Sequence, residues 1–188
     1  MTDAQTRGRR TLILIALLFA TPIGGAMYMY YSGSSLGPID KTAYGELITP
    51  PRALPDTGLL TDGEEQLRKL WTLAVLADAD CDTSCSEALI HIRQIRLSLG
   101  PKMPRLQTVY LPAQMTAITG DLQRQHPKLI IAAPDATRDI RDIVGPYEPG
   151  QIFMIDPLGN LMMSYPPGTD MGNVRKDLAH LLKLSGIG

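Results

Sequence analysis

Cysteine is scarce in this chain, with only Cys81 and Cys85 among 188 residues. That count excludes a disulfide-rich scaffold and a four-cysteine zinc module, and leaves a single redox pair, part of a metal site, or coincidence. Charge of one sign is missing as well: 18 Lys and Arg face 19 Asp and Glu, for a formal net charge of -1. With no basic run interleaved with aromatics, the chain has no electrostatic footprint for nucleic acid. It contains no Gly-rich phosphate loop, and its Ser, His and Asp residues form no nucleophile motif, so nucleotide and hydrolase chemistry lack support. Internal repeats are absent. Composition is otherwise ordinary for one globular core plus an appendage, at 44% hydrophobic and 20% charged residues.

The appendage is at the N-terminus. Arg7, Arg9 and Arg10 precede an uncharged stretch from Thr11 to Tyr31 that holds Leu12, Ile13, Leu14, Ile15, Leu17, Leu18 and Phe19. About 20 such residues suffice for the ~30 Å of hydrocarbon in a bilayer. Tyr28, Tyr30 and Tyr31 follow as an interfacial belt would, and the arginines are retained on the cytoplasmic side. A cleaved signal peptide, with Thr21–Ala26 as its small-residue site, is the competing interpretation. The expectation is a cytoplasmic N-terminus over 1–10 and a single transmembrane helix over 11–31. The body would then be exported, in a bacterium from the inner membrane into the periplasm, where a cysteine pair can be oxidised.

Residues 32–62 carry Pro38, Pro50, Pro51 and Pro55 among Gly, Ser and Thr, and show no sustained periodicity, which predicts a linker or extended lead-in. Within it, Tyr44 and the Leu47–Ile48 pair are able to pack onto the domain that follows. From residue 63 to 188 strand-like and helix-like segments alternate. Trp71–Leu76 is a short apolar run suited to a buried strand. Ala88, Leu89, Ile92, Ile95 and Leu99 recur at helical spacing up to Gly100–Pro101, which predicts a helix over Ser84–Leu99. A strand over Leu106–Leu111, a helix from about Ala113 to Gln125, a strand over Leu129–Ala133 and a helix over Asp135–Val144 follow. Gln151–Ile155 and Leu161–Tyr165 flank a hairpin turn at Asp156–Asn160, and Asp170–Leu184 closes as a helix. This order implies an α/β fold with a mixed sheet flanked by helices.

Cys81 ends the loop after the first strand of that series, and Cys85 falls in the first turn of the next helix. Free backbone N–H groups and the positive helix end favour a thiolate there, the form that attacks disulfides and binds soft metals. Residues four apart on a helix have Cα atoms about 6 Å apart, close enough for a disulfide. Asp78, Asp80 and Asp82 oppose the negative charge of a thiolate and attract cations. An inert structural disulfide is the competing account.

The single anchor, Trp71–Leu76 ahead of Cys81-Asp82-Thr83-Ser84-Cys85, the strand Leu129–Ala133, and Phe153–Asn160 with the closing helix together resemble the SCO/SenC family of cytochrome oxidase assembly factors over roughly residues 45–185. The resemblance implies a thioredoxin-like fold. It also implies a role in building the dinuclear copper A centre of cytochrome c oxidase, by copper(I) delivery or by thiol–disulfide exchange through Cys81 and Cys85. The partner would be an oxidase subunit or another exported copper protein; the alternative is a non-catalytic assembly partner with a structural disulfide. The family histidine is replaced by Glu148, and the prolines that usually follow each cysteine by Asp82 and Ser86. Loss of the imidazole weakens a three-ligand copper(I) site, with Glu148 as its only positional substitute. His91 is rotated away from Cys85 on an ideal helix, while His126 and His180 lie in a connection and near the chain end. The methionines show no Met-x-x-Met tract and are assigned to packing. Pro149 matches by position the cis-proline that thioredoxin-like folds set against their cysteines. Sequence leaves a trans loop proline equally open.

Overall fold

The computed structural model describes residues 3–32, 43–55, 67–78 and 80–186. The chain divides into two compact units, residues 1–42 and 43–188.

The first unit contains helix α1, Asp3–Ser32, with Pro22 inside it. Pro22 has no N–H to give to the preceding turn. Just before it, the Thr21 hydroxyl donates to the Leu17 carbonyl at 2.6 Å. Leu12, Leu14, Leu18 and Phe19 are exposed along the helix. Among the described residues, no helix is long and apolar enough to cross a membrane.

The second unit is an α/β sandwich. Its strands are β1 (Glu46–Ala53), β2 (Trp71–Ala77), β3 (Leu106–Pro112), β4 (Leu129–Ile131), β5 (Ile152–Ile155) and β6 (Asn160–Tyr165). They form one six-stranded sheet in the order β1-β6-β5-β2-β3-β4. β2 pairs parallel with β3 and antiparallel with β5, and β3 pairs parallel with β4, so the sheet is mixed. Helices α2 (Thr83–Ser98), α3 (Ala117–Gln125), α4 (Pro134–Val144) and α5 (Met171–Leu184) flank it.

Every residue of β2 is buried, as befits a central strand. Its side chains alternate between two cores. Trp71, Leu73 and Val75 pack with Leu89 and Ile92 of α2 and Leu178 of α5, whereas Ala74 and Leu76 pack with Ile140 and Val144 of α4. The α2 helix is one residue offset from the expected 84–99. The α3 helix begins at Ala117 rather than Ala113, and β4 stops two residues short of Ala133. Between β5 and β6, Asp156 accepts hydrogen bonds from the N–H groups of Leu158 (2.9 Å) and Asn160 (2.8 Å), closing the expected hairpin.

The segment expected as an irregular lead-in supplies a strand. β1 lies antiparallel to β6 at the sheet edge, interrupted between Leu47 and Arg52 where Pro50 and Pro51 lack N–H groups. Residues 33–42 and 56–62 of that expected lead-in lie outside the described residues. Its docking uses a buried carboxylate: Asp177 of α5 accepts from the N–H groups of Tyr44 and Gly45, both at 2.9 Å, and from the Tyr165 hydroxyl at 3.1 Å. Gly45 is required sterically, because a Cβ there would stand 2.6 Å from both Met163 Sδ and Tyr165 Cε1. Burial, then the Asp177 charge and its hydrogen bond, raise the Tyr165 pKa above the ordinary phenol value.

Candidate functional site

The chain leaves the C-terminal end of β2 at Ala77, and the loop that follows carries both Asp78 and Cys81 before α2 begins at Thr83. Asp82 is the N-cap of α2: its side chain accepts a hydrogen bond from the Cys85 N–H at 2.8 Å. This cap fixes the first turn, so that Cys81 precedes the cap and Cys85 follows it by three. The two are joined as a disulfide with a Cα–Cα distance of 5.2 Å. Their surroundings differ. Cys85 is 2% exposed within the α2-side core, whereas Cys81 is only partly buried and its sulfur lies 3.7 Å from the Ser86 hydroxyl.

The facing wall is the loop between α4 and β5. Leu76, Asp78, Asp80, Asp82, Tyr147 and Pro149 enclose a cleft of about 160 Å³ against Cys85. Pro149 thus stands beside the disulfide. Its peptide bond is trans, Thr49–Pro50 being the cis bond among the described residues. Gly150 brings the loop into contact with the cysteine helix: it has φ +82°, and a Cβ on it would lie 2.8 Å from the Ser84 carbonyl oxygen. Ala there adds a backbone penalty and a clash, expected together to cost about 1–3 kcal/mol. Gly168, also at positive φ (+80°) but with open space around it, isolates the strain part. Urea unfolding should show Gly150→Ala losing clearly more stability than Gly168→Ala; equal losses would mean that the contact with Ser84 contributes nothing.

A polar cluster props the cleft from below. One Arg141 Nη donates to Asp78 Oδ1 and, at 3.1 Å, to the Tyr147 hydroxyl; the other donates to the carbonyls of Ala77 (2.7 Å) and Leu111 (2.5 Å). The Tyr147 hydroxyl in turn donates to Asp78 at 2.7 Å. Burial first, and then the hydrogen bond to Asp78, push the Tyr147 pKa up to about 12, with Arg141 opposing. Neither Arg141 nor Tyr147 carried any signal in the sequence, since one is an arginine on an amphipathic helix and the other a loop tyrosine.

The donor set does not fit a three-ligand copper(I) site. Among the described residues no group of three or more His, Cys, Asp or Glu side chains is arranged to hold a metal ion. Glu148 is exposed, and its N–H donates to Gln151 Oε1 at 3.0 Å. His91 lies half-buried on α2, His180 is exposed on α5, and His126 is buried in the α3–β4 connection.

Residues 71–185 match the model of the family described as transmembrane-like, thioredoxin-like, C-terminal domain. The chain belongs to that family. The match covers the central strand β2, the disulfide, the Tyr147–Gly150 loop and the closing helix, so the cysteine pair occupies the heart of a thioredoxin-like domain. No curated protein matches the chain in sequence. Among solved structures, a thio-disulfide isomerase from Thermus thermophilus is 16% identical with a TM-score of 0.54, over 75% of this chain and 99% of that one. A thiol:disulfide interchange protein from Chlorobium tepidum is 14% identical with a TM-score of 0.54, over 72% and 99%. Yeast Sco1 with copper bound is 15% identical with a TM-score of 0.51, over 63% and 82%. At these identities the likeness is one of fold.

Proposed function

We propose that the protein is a membrane-anchored thiol–disulfide exchange factor that reduces cysteines of an exported copper protein, such as the copper A subunit of cytochrome c oxidase. The observation that carries this reading is the asymmetry of the pair: Cys81 partly exposed ahead of the helix cap, Cys85 buried behind it and lining one cleft with Pro149. In the reduced form, the Cys81 thiolate attacks one sulfur of a client disulfide; that bond breaks, and the departing client sulfur takes a proton. The Cys85 thiolate then attacks Cys81 Sγ in the mixed disulfide, releasing the second client thiol and leaving the Cys81–Cys85 disulfide. Two electrons pass to the client, and a dithiol partner restores the pair.

Asp80 and Asp82 favour this direction. They line the cleft with Cys85, whereas the charge of Asp78 is offset by Arg141. The negative charge of Asp80 and Asp82 raises the energy of the thiolate form relative to the neutral disulfide and makes the pair a stronger reductant. The uncharged stretch Thr11–Tyr31, with its exposed leucines and flanking arginines, supports tethering of the domain to the outer face of a bacterial inner membrane. Fold likeness to yeast Sco1 supports a copper-protein client.

The test is a trap. Reduced full-length Cys85→Ser should hold an oxidised copper A subunit in a mixed disulfide resolvable on a non-reducing gel, because the second step is blocked. Cys81→Ser, left with the buried cysteine, should trap far less. Equal trapping by both variants, or none by either, would instead leave the disulfide as a structural brace.

A further inference from the structure

Beyond the redox pair, we propose that the cavity at the other end of α2 binds a small organic carboxylate with an apolar body. The cavity measures about 230 Å³ and lies between the C-terminal half of α2 and the α3–β4 connection. That is below the roughly 300–1,000 Å³ of pockets for drug-sized molecules, so its ligand is small. Buried Leu89 and Leu129 supply its apolar walls. Arg93, Arg96 and Lys128 supply the charge, and no carboxylate lines the cavity.

His126 makes this more than a surface hollow. It lines the cavity, is 4% exposed, and its Nδ1 has no hydrogen-bond partner. A buried polar atom left unpaired costs about 1–3 kcal/mol, so a ligand atom that pairs with it has a corresponding advantage. The residue is held in place by its backbone, the N–H donating to Leu122 at 2.8 Å and the carbonyl accepting from Leu129 at 2.9 Å. Burial, and then Arg93, depress its pKa below the ordinary imidazole value. The ring is therefore neutral, and in its Nδ1–H tautomer, which an anionic ligand oxygen would select, it has a hydrogen bond to give while the cations supply the charge.

The two arginines are partly committed elsewhere, which fixes them. Arg96 Nε donates to the Leu106 carbonyl at 2.9 Å, and Arg93 Nη1 to the Gln125 carbonyl at 3.1 Å. An apolar body buried against leucines together with one charged oxygen pair is what this lining complements; inorganic phosphate or sulfate has no apolar part to place there.

The probe is cyclohexanecarboxylate, titrated by calorimetry into the purified full chain with the solubilising medium as blank. Cyclohexylmethanol serves as the neutral isostere and inorganic phosphate as the anion without a body. One-site saturable binding of the carboxylate is expected, with the alcohol and phosphate each weaker by about tenfold or more. Lys128→Gln, a change at an exposed position, should weaken the carboxylate and leave the alcohol unaffected. His126→Phe should weaken the carboxylate by about tenfold, while His126→Asn, which keeps an amide near the Nδ1 position, restores much of it. Absence of saturable binding, equal affinity for acid and alcohol, or indifference to Lys128→Gln would overturn the proposal. If His126→Phe does not fold, the alcohol comparison and Lys128→Gln decide alone.

Discussion

Replacing Asp177 by alanine is expected to destabilise the domain by about 3–4 kcal/mol and to free the start of β1 from the sheet edge. The carboxylate is 4% exposed and accepts from two backbone N–H groups and a buried phenol. Gly45 packs closely on Met163 and Tyr165, which holds its N–H against the carboxylate. The buried Gly45 N–H would therefore be stranded, the Tyr165 hydroxyl would be left with Met163 Sδ at 2.9 Å, and the part-buried Tyr44 N–H would lose its acceptor. The far end of β1 is held separately, by Arg52 donating to the Ile143 and Val144 carbonyls at 2.7 and 3.1 Å, so the near end depends on Asp177. The residues of β1 are mostly exposed, and its ladder with β6 is broken at the prolines. Hydrogen exchange at residues 45–48 should rise far more than exchange in β2, with urea unfolding giving the global loss. Asp177→Asn, retaining one acceptor oxygen, should fall between. Uniform loss of protection through β2 and β3 would show that β1 and the core unfold as one unit and that Asp177 is not a local clasp.

This clasp also marks the boundary of what sequence patterning conveys. The central elements were legible because burial on both faces writes itself as composition. Trp71–Ala77 is continuous apolar sequence since both cores need it, and α2 reads at helical spacing because Ala88, Leu89, Ile92 and Ile95 all face one of them. β1 leaves no such trace. An exposed edge strand interrupted by Pro50–Pro51 has neither alternation nor an unbroken run of donors, and the contacts that place it lie more than 130 residues away, at Asp177. The candidate site divides in the same way. The spacing of Cys81 and Cys85 exposed the pair, since a helix turn sets their separation locally. The wall opposite depends on Gly150 touching Ser84 and on Arg141 reaching two strand ends, and long-range contacts of single side chains carry no periodicity. Pro149 lines one cleft with Cys85, and its peptide bond is trans.

Arg141→Met should cost about 3 kcal/mol and loosen the cysteine loop in particular. The β2–β3 ladder runs out at Ala77 and Pro112, so the Leu111 carbonyl lies in its last rung. On the other side, the Ala77 carbonyl stands where β2 gives way to the loop that carries Asp78 and Cys81. Arg141, with its side chain only 16% exposed, joins these two ends with one nitrogen and holds Asp78 and Tyr147 with the other. A methionine fills the space but gives up all four of these hydrogen bonds, while the Ala77 carbonyl keeps the one it accepts from the Ala113 N–H at 2.9 Å. The Asp78 ion pair contributes little by itself, because Asp78 is 78% exposed, so Asp78→Asn should be nearly neutral in stability. Reduction of the disulfide by dithiothreitol should accelerate severalfold in Arg141→Met, and an unchanged rate would show that the loop is held by the disulfide alone. The same cluster predicts an alkaline limb. Tyr147 titrates at 10.0 ordinarily and at about 12 when folded, chiefly through burial. Below pH 10 both states keep the proton and the full contribution is present; from 10 to about 12 the unfolded chain releases it first, so stability falls as pH rises. Tyr147→Phe should remove that share of the slope, leaving the shares of Tyr110 and Tyr165, whose pKa values burial also raises. Because Arg141 lowers the Tyr147 pKa, its loss should carry the Tyr147 limb to still higher pH, linking the strand-end staple and the wall of the cysteine cleft in one titration.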